Sequence, residues 1–150
     1  NQIKTFTKIV LFYANNTQMK LYKSKLNKLI FYTQLAYHKK FKERILEGNF
    51  IKAPNGPVYE DTTLFLNYLE EKGIIEIVNS EYGTYVKTKY QLDRKSYSME
   101  EIVILKLVLN KFRNFTARQL FRYIKRNTAI NKICDQEVIS IDNVQRYTFI

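Results

Sequence analysis

The segment from Lys25 to Glu60, KLNKLIFYTQLAYHKKFKERILEGNFIKAPNGPVYE, leaves this chain few folds to choose from. It reads as an apolar-striped helix, a basic break, a short extended run and an Asn55-Gly56-Pro57 turn that opens a second helix. Leu26, Leu29, Ile30, Thr33 and Tyr37 recur at helical spacing within a helix predicted from about Tyr22 to Lys40, and Phe31, Leu35 and Ala36 widen the stripe. Ser24 is the predicted cap. Lys23, Lys25, Lys28, Lys39 and Lys40 are expected to lie mainly off the buried stripe. The segment contains no catalytic group, which steers the reading toward binding.

The remainder alternates helix and strand signals. Ile3, Phe6, Val10 and Tyr13 predict a first helix over residues 3–15, and Phe50 falls in a short strand or extended run. Val58, Thr62, Phe65, Leu66 and Leu69 predict a helix from Val58 to Lys72, closed by Gly73. Ile74–Val78 and Tyr85–Tyr90 form a β-hairpin around a loop of about five residues. Ser98 with Glu101, and Thr116 with Gln119, are capping-box signatures that open two more helices. Glu137–Ile141 suits a short strand, and Asp142 a cap for a last turn. With 150 residues but only four Gly and two Pro, the expectation is one domain over residues 1–150. Its class is α+β, mainly helical: a compact bundle of five or six helices with one β-hairpin. The first residue is Asn rather than Met, so an upstream module absent from this chain is also allowed for.

Chemistry finds little to use. Glu60-Asp61, Glu70-Glu71 and Glu100-Glu101 are adjacent pairs, so their side chains diverge on a helix instead of converging on a substrate. Cys134 and His38 are each the sole residue of their type, which excludes a disulfide framework and the usual zinc sets, and suits a reducing cytoplasm. No Gly-rich phosphate loop is present. We therefore expect no enzyme activity, no catalytic residue, no metal and no cofactor. The longest largely apolar run, Ile9–Met19, is too short and too polar to cross a bilayer.

The formal net charge of +11 is uneven, with ten Lys and Arg against two Asp and Glu in residues 1–50. A basic face can meet nucleic acid, an anionic surface or an acidic protein, and charge alone does not choose. Two constellations are candidates. Arg118, Arg122, Lys125 and Arg126 group on one side of the helix after Thr116, like a recognition helix with the hairpin as its wing. The rings Tyr32, Tyr37, Phe41, Phe50, Tyr59 and Phe65 exceed what two short helices should bury, so some are expected to line a groove for a protein.

The string KLNKLIFYTQLAYHKKF, followed by Gly56-Pro57-Val58 and a helix, resembles the Panacea domain, also called the SocA-like antitoxin domain. Lys25, Leu26, Lys28, Leu29, Tyr32 and Gln34 stand where that pattern expects them, and Ser98 to Arg126 fits its later helix pair. Members commonly carry a Trp before the Gly-Pro-Val turn, whereas this chain has Ile51-Lys52-Ala53-Pro54-Asn55 and no Trp. The resemblance implies a cytoplasmic protein that masks a partner, a cognate toxin, by direct stoichiometric contact. The candidate contact residues are Tyr32, Tyr37, Phe50, Asn55, Gly56 and Tyr59, with Lys39, Lys40 and Lys52 in support. Two alternatives stay open: a winged-helix-like DNA-binding regulator acting through Arg118, Arg122, Lys125 and Arg126, and a phage-encoded inhibitor of a host defence protein. Sequence leaves the oligomeric state open.

Overall fold

The computed structural model describes residues 2–126 and 128–144. Apolar spacing places the first two helices correctly: α1 spans Gln2–Asn15 and α2 spans Lys23–Phe41. α2 is the axis of the fold, buried at every residue from Lys25 to Ala36. It packs against α1, against α4 (Met99–Phe112) and α5 (Ala117–Lys125), and against strands β1 (Leu21–Tyr22), β3 (Gly56–Tyr59) and β5 (Gly83–Lys87). A helix covered on all sides needs apolar residues on all sides, and Phe31, Leu35 and Ala36 complete the circumference. Two expectations fail here. Ser24 does not cap α2: Leu21 and Tyr22 are held as a strand opposite Val86 and Tyr85, so the chain turns helical at Lys23 and Ser24 lies inside the helix. Lys25 and Lys28 are not solvated either, being only 5 % and 3 % exposed.

The Asn55-Gly56-Pro57 turn does not open a helix. It joins strands β2 (Phe50–Ala53) and β3 in a second hairpin, with Phe50 opposite Tyr59 and Ala53 opposite Gly56. β3 is an edge strand, where Pro57, which has no N–H to donate, is tolerated. Burial of Phe50 and Tyr59 as a pair, rings 5.3 Å apart, commits Tyr59 to the strand. Helix α3 therefore begins only at Thr62 and runs to Glu71. Gly73 ends it as expected: at φ +75° its N–H bonds Glu70 O and that of Ile74 bonds Leu69 O, a Schellman closure.

The predicted hairpin forms from β4 (Glu76–Ser80) and β5, but around two residues, Glu81 and Tyr82, because Ser80 and Gly83 already pair. Polar side chains help to close it, with Thr84 Oγ1 donating to Asn79 Oδ1 at 2.9 Å. Both capping boxes are complete, so α4 and α5 start where predicted. The strand expected at Glu137–Ile141 shortens to β6 (Val138–Ile139), paired with β2, between two four-residue helices, α6 (Thr128–Asn131) and α7 (Ile141–Val144). Asp142 lies within α7 instead of capping it, and its carboxylate reaches His38 Nε2 at 3.3 Å. The result is α+β and mainly helical, with, among the described residues, five helices of seven or more residues and two small antiparallel sheets, ordered β1-β5-β4 and β3-β2-β6. There are thus two tight hairpins where one was expected.

Candidate partner-binding site

The aromatic surplus is largely core. Tyr32, Phe50 and Tyr59 are fully buried, so their rings offer no surface to a partner. Tyr32 is covered by Phe112 of α4 and Tyr123 of α5, at 4.8 and 5.9 Å between ring centres. Burial drives its phenol pKa far above the ordinary range. Tyr59 donates to Glu47 O at 2.6 Å, and burial, with Asp61, Glu60 and Glu47 around it, pushes its pKa up to about 12. Of the six rings, Tyr37, Phe41 and Phe65 stay half-buried, and Tyr37 leans at a tilt on Phe41 with ring centres 4.9 Å apart. Lys39 and Lys40 lie beside it at the end of α2. Lys52 is tied back, its Nζ donating to Ile133 O at 2.7 Å. Gly56 is buried against Lys28, nine residues and so about 13 Å along the axis from Tyr37. The nine predicted residues therefore do not form one patch.

The sequence reading missed what surrounds Gly56. A cleft of about 500 Å³ opens between the start of α2, the β2–β3 turn and the β4–β5 turn. Lys23, Asn27 and Lys28 line it from α2, Asn55 and Gly56 from one hairpin, and Tyr82 from the other. Gly56 has φ +123°, a backbone conformation that favours glycine, and a Cβ there would stand 3.2 Å from Lys28 Cε, close enough to crowd that side chain. Lys28 Nζ has one hydrogen bond, to Ser24 O at 3.2 Å, and lies 5.9 Å from the centre of the Phe121 ring. Among the described residues no carboxylate pairs with it. Burial without a counter-charge pulls its pKa down to about 8. Lys25 is buried too, and burial lowers its pKa, but its role is structural. Its Nζ donates to Arg113 O at 3.4 Å, at the carbonyl end of α4 where a cation is favoured. A signal for both lysines was available, since a stripe widened around the whole helix leaves no solvent face for them.

The family description "Antitoxin SocA-like, Panacea domain" matches residues 26–129, from within α2 to α6. This chain belongs to the Panacea family. No curated protein and no solved structure matches it.

Among the residues that carry the resemblance to the Panacea pattern, Gln34 has an architectural role. Gln34, fully buried, clamps the loop after α2 through Nε2 to Leu46 O and through Oε1 from Ile45 N and Leu46 N. The family is one of non-catalytic antitoxin domains, and one residue of each adjacent acidic pair has a structural role. Glu101 completes the α4 capping box and pairs with Lys8 at 3.1 Å, Glu70 accepts from Ile77 N, and Glu60 accepts from Asn49 N. Cys134 is exposed, and Glu137 beside it raises its pKa, which keeps the thiol protonated. Among the described residues no group of three or more His, Cys, Asp and Glu could hold a metal, and no helix is long and apolar enough to cross a membrane. Arg118, Arg122, Lys125 and Arg126 are all exposed on or just after α5. The hairpin read as its wing takes β1 as its third strand, and its Tyr82 lines the same cleft as Ala117 at the start of α5.

Proposed function

We propose that this Panacea protein acts in the cytoplasm as a single binding module over residues 1–150 and neutralises its toxin by stoichiometric contact through α4 and the end of α2. The observation that carries this reading is the face α4 turns to solvent. Met99, Val103 and Leu107, each one turn from the next, are 66 %, 41 % and 40 % exposed. An apolar stripe that the core does not use marks an interaction surface. Tyr37 lies toward the end of α2, the helix that packs on α4, and burial, then the charges of Glu43, Glu100 and Glu101, raise its phenol pKa. Lys39 and Lys40 then supply steering charge at the rim. Asn55 remains a surface candidate at the other end of α2.

The test is co-expression with the product of the reading frame adjacent to this gene. The wild-type chain should restore growth and elute with that product as an equimolar complex. Val103→Asp should lose the complex while its stability stays within about 0.5 kcal/mol, as expected for an exposed site. Failure of the wild-type chain to bind at micromolar concentration sinks the reading.

A second reading, nucleic-acid binding, is favoured by one observation. Arg118, Arg122, Lys125 and Arg126 form no ion pair among the described residues, and Arg122 and Arg126 flank a cleft of about 510 Å³ walled by Phe115 and Tyr123. Charge reversal at Arg118 and Arg122 should abolish duplex binding, and its affinity should fall by about one log unit per log unit of salt for each phosphate met. Binding that is insensitive to salt refutes it.

A further inference from the structure

We infer that the cleft between the start of α2 and the two hairpin turns receives an acidic segment of the protein partner, its carboxylate held by Lys28 and a backbone N–H of the segment donated to Asn27 Oδ1. The inference deepens the antitoxin reading and rests on it for the class of partner. Two independent features of the cleft point to a ligand. Lys28 is buried with a single hydrogen bond, to a carbonyl of its own helix, so two of its three N–H groups have no hydrogen-bond acceptor among the described residues. Asn27 is 9 % exposed, and its Oδ1 is buried with no hydrogen-bond partner. A lone buried cation and an orphaned acceptor are costly arrangements that folding alone would remove. Lys25, three residues earlier, shows how a lysine with a purely structural role is held, for its ammonium meets the carbonyl end of α4.

The chemistry of the lining selects the occupant. Lys23 and Lys28 are the charged residues there, and no acidic residue lines the wall. The site therefore complements a negative group. Asn27 Oδ1 needs a donor, which a phosphodiester lacks and a peptide supplies at every residue but proline. Pro54, Pro57 and the exposed ring of Tyr82 add apolar wall that suits a peptide. The turn that forms the floor packs against Lys28 at Gly56, where the left-handed backbone favours glycine, so the cleft exists before the partner arrives.

Two measurements decide it. In the first, ¹⁵N-labelled wild-type protein is titrated with acetyl-Gly-Glu-Gly-amide, with its Gln counterpart and with inorganic phosphate. The Glu peptide should shift the amides of Asn27, Lys28, Gly56 and Gly83 at concentrations where the Gln peptide does not. No shift at those amides, equal shifts by both peptides, or an equal effect of phosphate overturns the inference. In the second, Lys28→Met and Asn27→Leu are compared with the wild-type chain for affinity toward the adjacent gene's product. Each should weaken binding by about thirtyfold or more, as truncating a buried charged contact does, with the fold intact by circular dichroism. Asn27→Leu removes a group that the fold leaves unpaired, so it decides the matter should Lys28→Met misfold. Affinity within twofold of wild type in a folded variant overturns the cleft and leaves the antitoxin reading standing. If wild type itself fails to bind the product, the antitoxin reading falls and the peptide titration alone judges the cleft.

Discussion

Replacing Gln34 by leucine tests how far the fold depends on one buried carboxamide. The side chain is fully buried and makes three bonds to one loop: Nε2 to Leu46 O at 2.8 Å, and Oε1 from Ile45 N at 3.1 Å and from Leu46 N at 3.0 Å. Leucine fills nearly the same space, so the cavity contribution is small. The loss comes from three backbone groups left without partners at about 1–3 kcal/mol each, or about 3–9 kcal/mol if nothing relaxes. Relaxation is limited. The loop can rehydrate those groups only by swinging out, and that exposes Leu46, which is fully buried, at about 1.5–3 kcal/mol. Gln34→Leu should therefore cost about 3–4 kcal/mol, a large share of the roughly 5–15 kcal/mol that holds a domain together. Urea unfolding should show a lower midpoint with an unchanged slope, and the Ile45 and Leu46 amides should exchange far faster. A loss under about 1 kcal/mol, or unchanged protection of those two amides, would refute the reasoning.

Three further outcomes follow from single sites. Lys28 has a folded pKa of about 8, below its unfolded value, so its destabilising effect is complete below about pH 8 and fades as pH rises toward the unfolded value near 10.4. Lys28→Met should thus be about 1–3 kcal/mol more stable than wild type near neutral pH, with the gap closing by about pH 10 in paired urea curves. The comparison stops there, because buried tyrosines such as Tyr59, with pKa raised to about 12, make both proteins lose stability once unfolded tyrosines ionise. Gly56→Ala should lower stability by about 1–3 kcal/mol in thermal unfolding, since φ +123° is closed to alanine and the new methyl crowds Lys28. Ser98→Ala should cost about 1 kcal/mol, read by the same assay, through loss of the α4 cap.

What the sequence made legible was what neighbours in the chain decide. The capping boxes at Ser98 and Thr116 join residues three apart, so they fixed the starts of α4 and α5. The Gly73 closure is local in the same way. Most misreadings turn on pairings across strands or between elements, not on immediate neighbours. Ser24 looks like a cap until Leu21 and Tyr22 are known to pair with Val86 and Tyr85. Gly56-Pro57-Val58 looks like the opening of a helix until Tyr59 is known to face Phe50 across a hairpin. The six rings looked surplus to two short helices because α4 and α5, which bring Phe112 and Tyr123 over Tyr32, lie some eighty residues further on. The apolar stripe of α4 was in plain sight as Met99, Val103 and Leu107, but only the packed fold shows that these residues are left outside.

Burial of a polar side chain does not by itself mark a site in this protein, and the distinction lies in whether the burial is satisfied. Thr33 bonds Leu29 O and Tyr13, Gln34 bonds a loop, and Lys25 bonds the end of α4, so each contributes to the fold it is buried in. Thr62 Oγ1 has no partner, but the residue is fully enclosed and does not line the cleft, so a ligand entering there does not meet it. Among the described residues, Asn27 and Lys28 alone combine unmet hydrogen-bonding capacity with a place on an open wall. The two are adjacent on α2, and the family match begins one residue before them, at Leu26. An arrangement that lowers stability and lines the wall of a preformed cleft is where recognition and folding pull in opposite directions. The pair of signs expected for Lys28→Met, stability up and partner affinity down, separates recognition from a merely structural role, for which both would move together.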